Sequence, residues 1–100
     1  YLDNNKVYDL VRTIDKEKKL VAAICISPTI LAKAGILQGK RATVWSSPLE
    51  KRPIEILEKN GAQYIDKAVV VDDNIITANG PQAAEKFAQA IIKFLTPKGR

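Results

Sequence analysis

The sequence predicts a single α/β domain with a mostly parallel sheet and helices on both faces. Three observations support this fold class. Segments with the apolar spacing of helices alternate with short, partly β-branched apolar runs. Residues 20–24 are apolar at every position, as in a strand covered on both sides. The connecting segments are short, and the 100 residues, 46% of them apolar, suffice for one small core.

The chain opens with an amphipathic helix followed by a strand. From Val7 onward, apolar residues recur at i, i+3, i+4 and i+7, which predicts a helix over residues 5–18. Asp3 or Asn4 is placed to serve as its N-cap. We expect residues 20–24 to form a central strand with a neighbouring strand on each side. The chain offers few partners for such a strand, so it has the character of the C-terminal portion of a larger sheet.

A short helix and a second strand follow. Ser27 is expected to cap this helix and Pro28 to open it, because proline is favoured in the first helical turn. Gly35 is expected to end it in a left-handed conformation. After a turn, residues 41–45 have the β-branched and aromatic character of a strand.

The second half of the chain continues the alternation. Pro53 marks the start of a third helix, and residues 63–65 predict a brief strand. A hairpin is expected over residues 68–78, with a three-residue turn at residues 72–74. Pro81 then introduces the last helix, whose apolar residues share one face.

The composition excludes several classes of protein. No apolar run approaches the roughly 18 residues of a membrane span, and no secretory signal opens the chain, so we expect a cytoplasmic protein without a membrane partner. Cys25 is the sole cysteine and histidine is absent, which excludes an internal disulfide and the usual zinc sites. The net charge of +5 is not arranged as a stripe, so nucleic acid is not an expected partner. No glycine-rich phosphate loop is present, so no cofactor is expected.

Cys25 is the strongest chemical signal in the sequence. It directly follows the strand of residues 20–24, and a helix begins at Pro28. This is the layout of a nucleophile elbow, which exposes a side chain at the carboxyl edge of the sheet and offers the next backbone N–H, that of Ile26, to an oxyanion. From the residues alone, the alternative is that Cys25 is a small buried apolar residue at the end of a core strand.

A wider set of residues resembles one protein family. The matching segments are Ala22-Ala23-Ile24-Cys25, Ser27-Pro28, Leu31-Ala32, Ala34-Gly35, Gly39-Lys40, Ala42-Thr43-Val44, Glu58-Lys59-Asn60-Gly61-Ala62, residues 69–77 and Gly80-Pro81. In order and over nearly the whole chain, they resemble the ThiJ/PfpI family, which includes intracellular cysteine proteases and a parkinsonism-associated deglycase. The resemblance implies a flavodoxin-like three-layer sandwich, similar to class I glutamine amidotransferase domains. It also implies that residues 1–100 are the C-terminal part of a single domain.

Two departures from the family pattern bear on the chemistry. The family's N-terminal half carries a glutamate that contacts the cysteine and a glycine of the oxyanion hole, so the resemblance implies that this missing half is a partner of the chain. Protease-like members have histidine directly after the cysteine, where this chain has Ile26. Others have it after the strand of residues 41–45, where Ser46 and Ser47 stand. Without imidazole, amidotransferase chemistry is disfavoured most and peptidase chemistry is weakened.

Two functions remain open at this point. In the first, Cys25 attacks the carbonyl of a small reactive aldehyde, as in glyoxalases and deglycases, or less readily that of a peptide. In the second, the protein is a non-enzymatic redox sensor or chaperone-like stress protein that uses an oxidisable cysteine. The candidate pocket residues are Ser27, Trp45, Ser46, Gly80 and Pro81. Trp45 also fits a core position, and Ser46 an ordinary turn. The resemblance implies a homo-oligomer, a dimer or hexamer.

Overall fold

The computed structural model describes residues 5–96, so the proposed N-caps Asp3 and Asn4 lie outside the described residues. In chain order the elements are α1 (Asn5–Lys16), β1 (Val21–Ile24), α2 (Pro28–Lys33), β2 (Arg41–Ala42), α3 (Arg52–Lys59), β3 (Gln63–Tyr64), β4 (Val69–Asp72), β5 (Ile75–Ala78), a 3₁₀ turn (Pro81–Ala83) and α4 (Ala84–Leu95). The predicted alternation of helix and strand is confirmed. Within the described range no helix is long and apolar enough to cross a membrane.

The strands form one three-stranded sheet and one separate pair. β1 pairs in parallel with β5, and β5 pairs in antiparallel fashion with β4. β2 and β3 pair in parallel beside this sheet. Within residues 5–96, β1 has one neighbouring strand, and its central position in a larger sheet stays a prediction. No described strand lies on its second side, and Ala22 is exposed.

Helices cover both faces of the three-stranded sheet. Val21 belongs to the main core together with Tyr8 of α1 and Leu31 of α2. Because strand side chains alternate between faces, the fully buried Ile76 points to the opposite side of the sheet from its neighbour Ile75, which belongs to the main core. α4 contacts β1 and β5 and covers that second face. The arrangement gives three layers and puts the carboxyl ends of β1 and β5 at one edge.

The hairpin of β4 and β5 is tighter than predicted. Asp72 pairs with Ile75, so the turn consists of Asp73 and Asn74 instead of three residues. Asp73 adopts a φ of 58°, a left-handed conformation that aspartate tolerates in turns. The buried Asn74 donates from Nδ2 to Oδ1 of Asp15 at 3.0 Å and to a backbone carbonyl just beyond α1 at 2.9 Å. The turn is thereby attached to the C-terminal end of α1.

The strand expected over residues 41–45 ends at Ala42 because a side chain replaces a backbone partner. The N–H of Thr43 donates to Oγ1 of Thr77 at 2.9 Å. Both threonines are fully buried, so this hydrogen bond satisfies an N–H that water cannot reach. The hydroxyl of Thr43 itself has no hydrogen-bond partner among the described residues.

Thr77→Val is expected to lower the free energy of unfolding by about 1–3 kcal/mol, since valine keeps the shape of the side chain but leaves the buried N–H of Thr43 without an acceptor. Urea denaturation measures the effect. Thr43→Val is the matched control, because it removes a buried hydroxyl that has no partner, and it is expected to be neutral or stabilising. Equal losses in the two variants would contradict the role given to Thr77.

Candidate functional site

Cys25 occupies the tight turn between β1 and α2. Its φ is 68°, in the left-handed region that residues other than glycine rarely adopt. The N–H of Cys25 donates to the carbonyl of Ala78 at the end of β5 at 3.0 Å, and its carbonyl accepts the N–H of Trp45 at 2.7 Å. These bonds hold the residue in its unfavourable conformation from both sides. The side chain is half-buried and has no disulfide partner.

The backbone after Cys25 presents one N–H without an acceptor. Among the described residues, the N–H of Ile26 donates no hydrogen bond, whereas that of Ser27 donates to the carbonyl of Ile24 at 3.1 Å. The carbonyl of Ile26 accepts both the N–H and the hydroxyl of Thr29, at 3.1 and 2.7 Å. An unpaired N–H next to a thiol is the arrangement that stabilises an oxyanion. The role of Ile26 as that donor stays a prediction.

Ser27 stands at the N-cap position of α2 but does not cap it. Its φ of −61° and ψ of −27° are helical, and its side chain makes no capping hydrogen bond. The prediction of a Ser27 cap is therefore wrong, because a capping residue needs an extended backbone to turn its oxygen toward the first N–H groups. Ser27 lines a cavity of about 340 Å³ whose other walls are apolar residues of α1, α2 and the β1 region.

An open groove begins one residue beyond Cys25. It has a volume of about 510 Å³, and its walls are Ile26, Trp45, Glu50, Arg52, Pro53 and Ile56. The side chain of Ile26 is 42% exposed at this point, and Trp45 is half-buried. Gly80 lies against the indole, since a Cβ added there would be 3.6 Å from Cδ1 of Trp45. The groove is thus an apolar surface that adjoins the thiol-bearing turn.

An ion pair forms the polar end of the groove. Arg52 donates from Nε to Oε1 of Glu50 at 2.9 Å and from Nη2 to Oε2 at 2.6 Å, and its backbone N–H donates to Oε1 at 3.0 Å. The side-chain hydrogen bonds, followed by the backbone one, lower the pKa of Glu50 to about 2. At neutral pH the carboxylate is charged and bound to the guanidinium, so the charges at this edge of the groove are matched within the protein.

The other predicted pocket residues lie away from the groove. Ser46 is half-buried, and burial, followed by the charge of Asp66, raises the pKa of the Tyr64 phenol. Pro81 is exposed and opens the 3₁₀ turn after β5. Neither Ser46 nor Pro81 is a wall of the groove. Within residues 5–96, no three His, Cys, Asp or Glu side chains are grouped as metal ligands.

Sequence reasoning missed Asn79 and the part of the groove that α3 contributes. β1 and β5 are parallel and in register, so Asn79 follows β5 at the edge where Cys25 follows β1. Its Oδ1 is buried and has no partner in the described part of the chain. The parallel pairing of the two strands is the signal that locates Asn79. Pro53 and Ile56 gave no such signal, because their spacing is that of any amphipathic helix.

The chain is similar to one group of proteins along most of its length. The profile of the DJ-1/PfpI family matches residues 1–94. Uncharacterized protein MJ0967 of Methanocaldococcus jannaschii is 49% identical over 94 residues, covering 93% of this chain and 44% of the relative. The glutathione-independent glyoxalase DJR-1.2 of Caenorhabditis elegans is 34% identical over 87 residues, covering 87% and 44%. Deglycase PfpI of Pyrococcus furiosus is 30% identical over 92 residues, covering 92% and 52%.

The comparison with solved structures gives the same family. The crystal structure of Drosophila melanogaster DJ-1beta matches with a TM-score of 0.80 at 38% identity, over 94% of this chain and 48% of that chain. This similarity confirms the predicted flavodoxin-like fold. The chain spans about half the length of the curated relatives it matches.

Proposed function

Because this chain belongs to the DJ-1/PfpI family, we propose that it is the thiol-bearing part of an enzyme that converts small reactive aldehydes, as a glyoxalase or deglycase does. The observation that carries the proposal is the turn at Cys25, where a strained backbone presents a thiol next to the N–H of Ile26, which has no acceptor among residues 5–96. The names of two relatives, a glyoxalase and a deglycase, support it. Peptides are a weaker choice, since no histidine is present to protonate a leaving amine.

In the proposed reaction the sulfur of Cys25 adds to the aldehyde carbon of a 2-oxoaldehyde such as methylglyoxal. The S–C bond forms as the carbonyl π bond breaks, and the thiol proton ends on the former aldehyde oxygen. The N–H of Ile26 stabilises the charge that develops on that oxygen. A proton then moves from C1 to C2 through an enediol, and water hydrolyses the resulting thioester to the 2-hydroxy acid. C1 is oxidised and C2 reduced, so one water is the only co-reactant.

The proton transfers need an acid–base group that these residues do not supply beside Cys25. The chain has no histidine and spans about half the length of its relatives. We propose that the other half of the same domain supplies this group, as the glutamate of the family resemblance implies. The free second edge of β1 within residues 5–96 supports this arrangement, because a further strand can pair there. Assembly into dimers or hexamers stays a prediction.

Lactate formation from methylglyoxal tests the proposed function. The full-length protein is assayed before and after alkylation with iodoacetamide, and peptide mapping by mass spectrometry establishes modification at Cys25. We expect lactate formation by the untreated protein and its loss as Cys25 becomes alkylated, because the alkylated sulfur cannot add to a carbonyl. Lactate is measured because methylglyoxal also disappears by reacting with lysine and arginine side chains. Undiminished lactate formation at complete alkylation would overturn the proposal.

Reversible oxidation of the half-buried, free thiol of Cys25, in a redox-sensing or chaperone-like protein, is a second candidate function, and the lack of histidine does not oppose it. Hydrogen peroxide takes two electrons from the sulfur, giving a sulfenic acid and water, and no imidazole is needed. Dimedone labelling of Cys25 after peroxide treatment detects this product. Labelling in a protein that forms no lactate would favour this function over the first.

A further inference from the structure

The groove beside Cys25 is larger than methylglyoxal requires. Its volume of about 510 Å³ lies within the range of about 300–1,000 Å³ that is typical of small-molecule sites. Methylglyoxal carries only a methyl group on its reactive dicarbonyl unit. Most of the groove would therefore stay empty during the reaction proposed above, although its wall is continuous with the thiol-bearing turn.

The groove and the turn are joined through two residues. Ile26 follows Cys25 directly and forms one wall. Trp45 forms another wall, and its backbone N–H donates to the carbonyl of Cys25 at 2.7 Å. In the reaction proposed above, the N–H of Ile26, which donates no hydrogen bond within residues 5–96, binds the reacting oxygen. A substituent on the attacked carbonyl then has the groove as the adjoining apolar space.

The chemistry of the walls selects an uncharged, apolar occupant. Ile26, Pro53 and Ile56 offer aliphatic surface, and the indole of Trp45 offers an aromatic face or edge. The two charged residues of the groove, Glu50 and Arg52, neutralise each other through a pair of side-chain hydrogen bonds. A charged substituent would find no unmatched charge there, whereas an aromatic ring would bury apolar area against four side chains.

We propose that the groove binds the aromatic substituent of the substrate, so that the preferred substrates are aryl 2-oxoaldehydes such as phenylglyoxal. This inference rests on the proposed function and specifies its substrate class. The products are the corresponding aryl 2-hydroxy acids, formed by the same addition of one water. Trp45, Pro53 and Ile56 act as specificity determinants and take no part in bond making.

The preference is measured as the ratio of kcat/KM for phenylglyoxal to that for methylglyoxal in the full-length protein. Initial rates of mandelate and lactate formation are the readout, because 2-oxoaldehydes also modify arginine. We expect phenylglyoxal to be preferred by at least about 10-fold, the discrimination that an apolar pocket gives to a fitting group. Ile56→Phe fills the groove and is expected to lower the ratio by about 10-fold. Glu55→Phe places the same ring on the exposed side of α3 and is expected to leave the ratio unchanged.

The outcomes separate this inference from the proposed function. Two results would contradict binding of the aromatic substituent in the groove while leaving the proposed function in place. One is Cys25-dependent turnover of both aldehydes with equal kcat/KM. The other is a kcat/KM ratio that Ile56→Phe does not change. If neither aldehyde is converted, the proposed function fails, and the rates of Cys25 alkylation then test whether the groove binds an aromatic group. Cys25 is then expected to react faster with 2-iodo-N-phenylacetamide than with iodoacetamide, and Ile56→Phe is expected to remove the difference. Equal rates of alkylation by the two reagents in the protein without substitutions would contradict binding of an aromatic group in the groove.

Discussion

Cys25→Gly is expected to abolish the conversion of methylglyoxal and, at the same time, to give a more stable protein than Cys25→Ala. Both variants lack the sulfur that forms the covalent intermediate of the proposed reaction, so kcat/KM is expected to fall by at least about 1,000-fold in each. Lactate formation by the full-length protein measures this loss. Retention of a substantial rate in either variant would show that another group performs the addition.

The difference in stability follows from the backbone at Cys25. A left-handed conformation costs a residue with a Cβ about 1–2 kcal/mol, and glycine adopts it without that cost. The greater conformational freedom of glycine in the unfolded chain offsets about 0.5–1 kcal/mol of this gain in stability. The free energy of unfolding of Cys25→Gly is therefore expected to exceed that of Cys25→Ala by about 0.5–1 kcal/mol. Alanine is the proper reference because it removes the thiol and keeps the φ of 68° unfavourable. An alanine variant as stable as the glycine variant would show that the backbone conformation at residue 25 carries no such cost.

Leu57→Ala is expected to lower the free energy of unfolding by about 2–5 kcal/mol. Leu57 is 0% exposed and attaches α3 to the main core, where Leu37 is also fully buried. Removing the isopropyl end of its side chain leaves a cavity that the surrounding residues fill only in part. Urea denaturation of the full-length protein measures the loss. Glu58→Ala, at the exposed neighbouring position, is the control and is expected to stay within about 0.5 kcal/mol. Similar effects of the two changes would contradict the assignment of Leu57 to the core.

The sequence predicted the elements because their signals are local. Apolar spacing located α1, and proline and glycine located the ends of α2. The pairing of strands is decided by distant residues. β1 pairs with β5 and has no described partner on its other side, and Thr77 accepts from the backbone beyond β2. No spacing within residues 20–24 or 41–45 contains that information, so the length of the second strand was predicted wrongly, and the second neighbour of the first strand stays a prediction.

The same distinction applies to the site. A strand followed directly by a helix was enough to predict the tight turn at Cys25, whereas the N–H of Ile26 as oxyanion donor stays a prediction. The groove is built from Ile26, Trp45 and α3, which are separated along the chain and meet only through packing of the core. Asn79 reaches the edge beside Cys25 only because β5 pairs in register with β1.

That pairing has a consequence for how the chain folds. Val21 pairs with Ile75, so more than half of the chain separates the two partners. Contacts of such high sequence separation form late and slow the folding of a domain, because a long loop must close before they contribute. During synthesis, β1 leaves the ribosome well before β5, and the hydrogen bond from Cys25 to Ala78 cannot form until β5 has emerged. The hydrogen bond that anchors the Cys25 turn to β5 therefore forms late in folding.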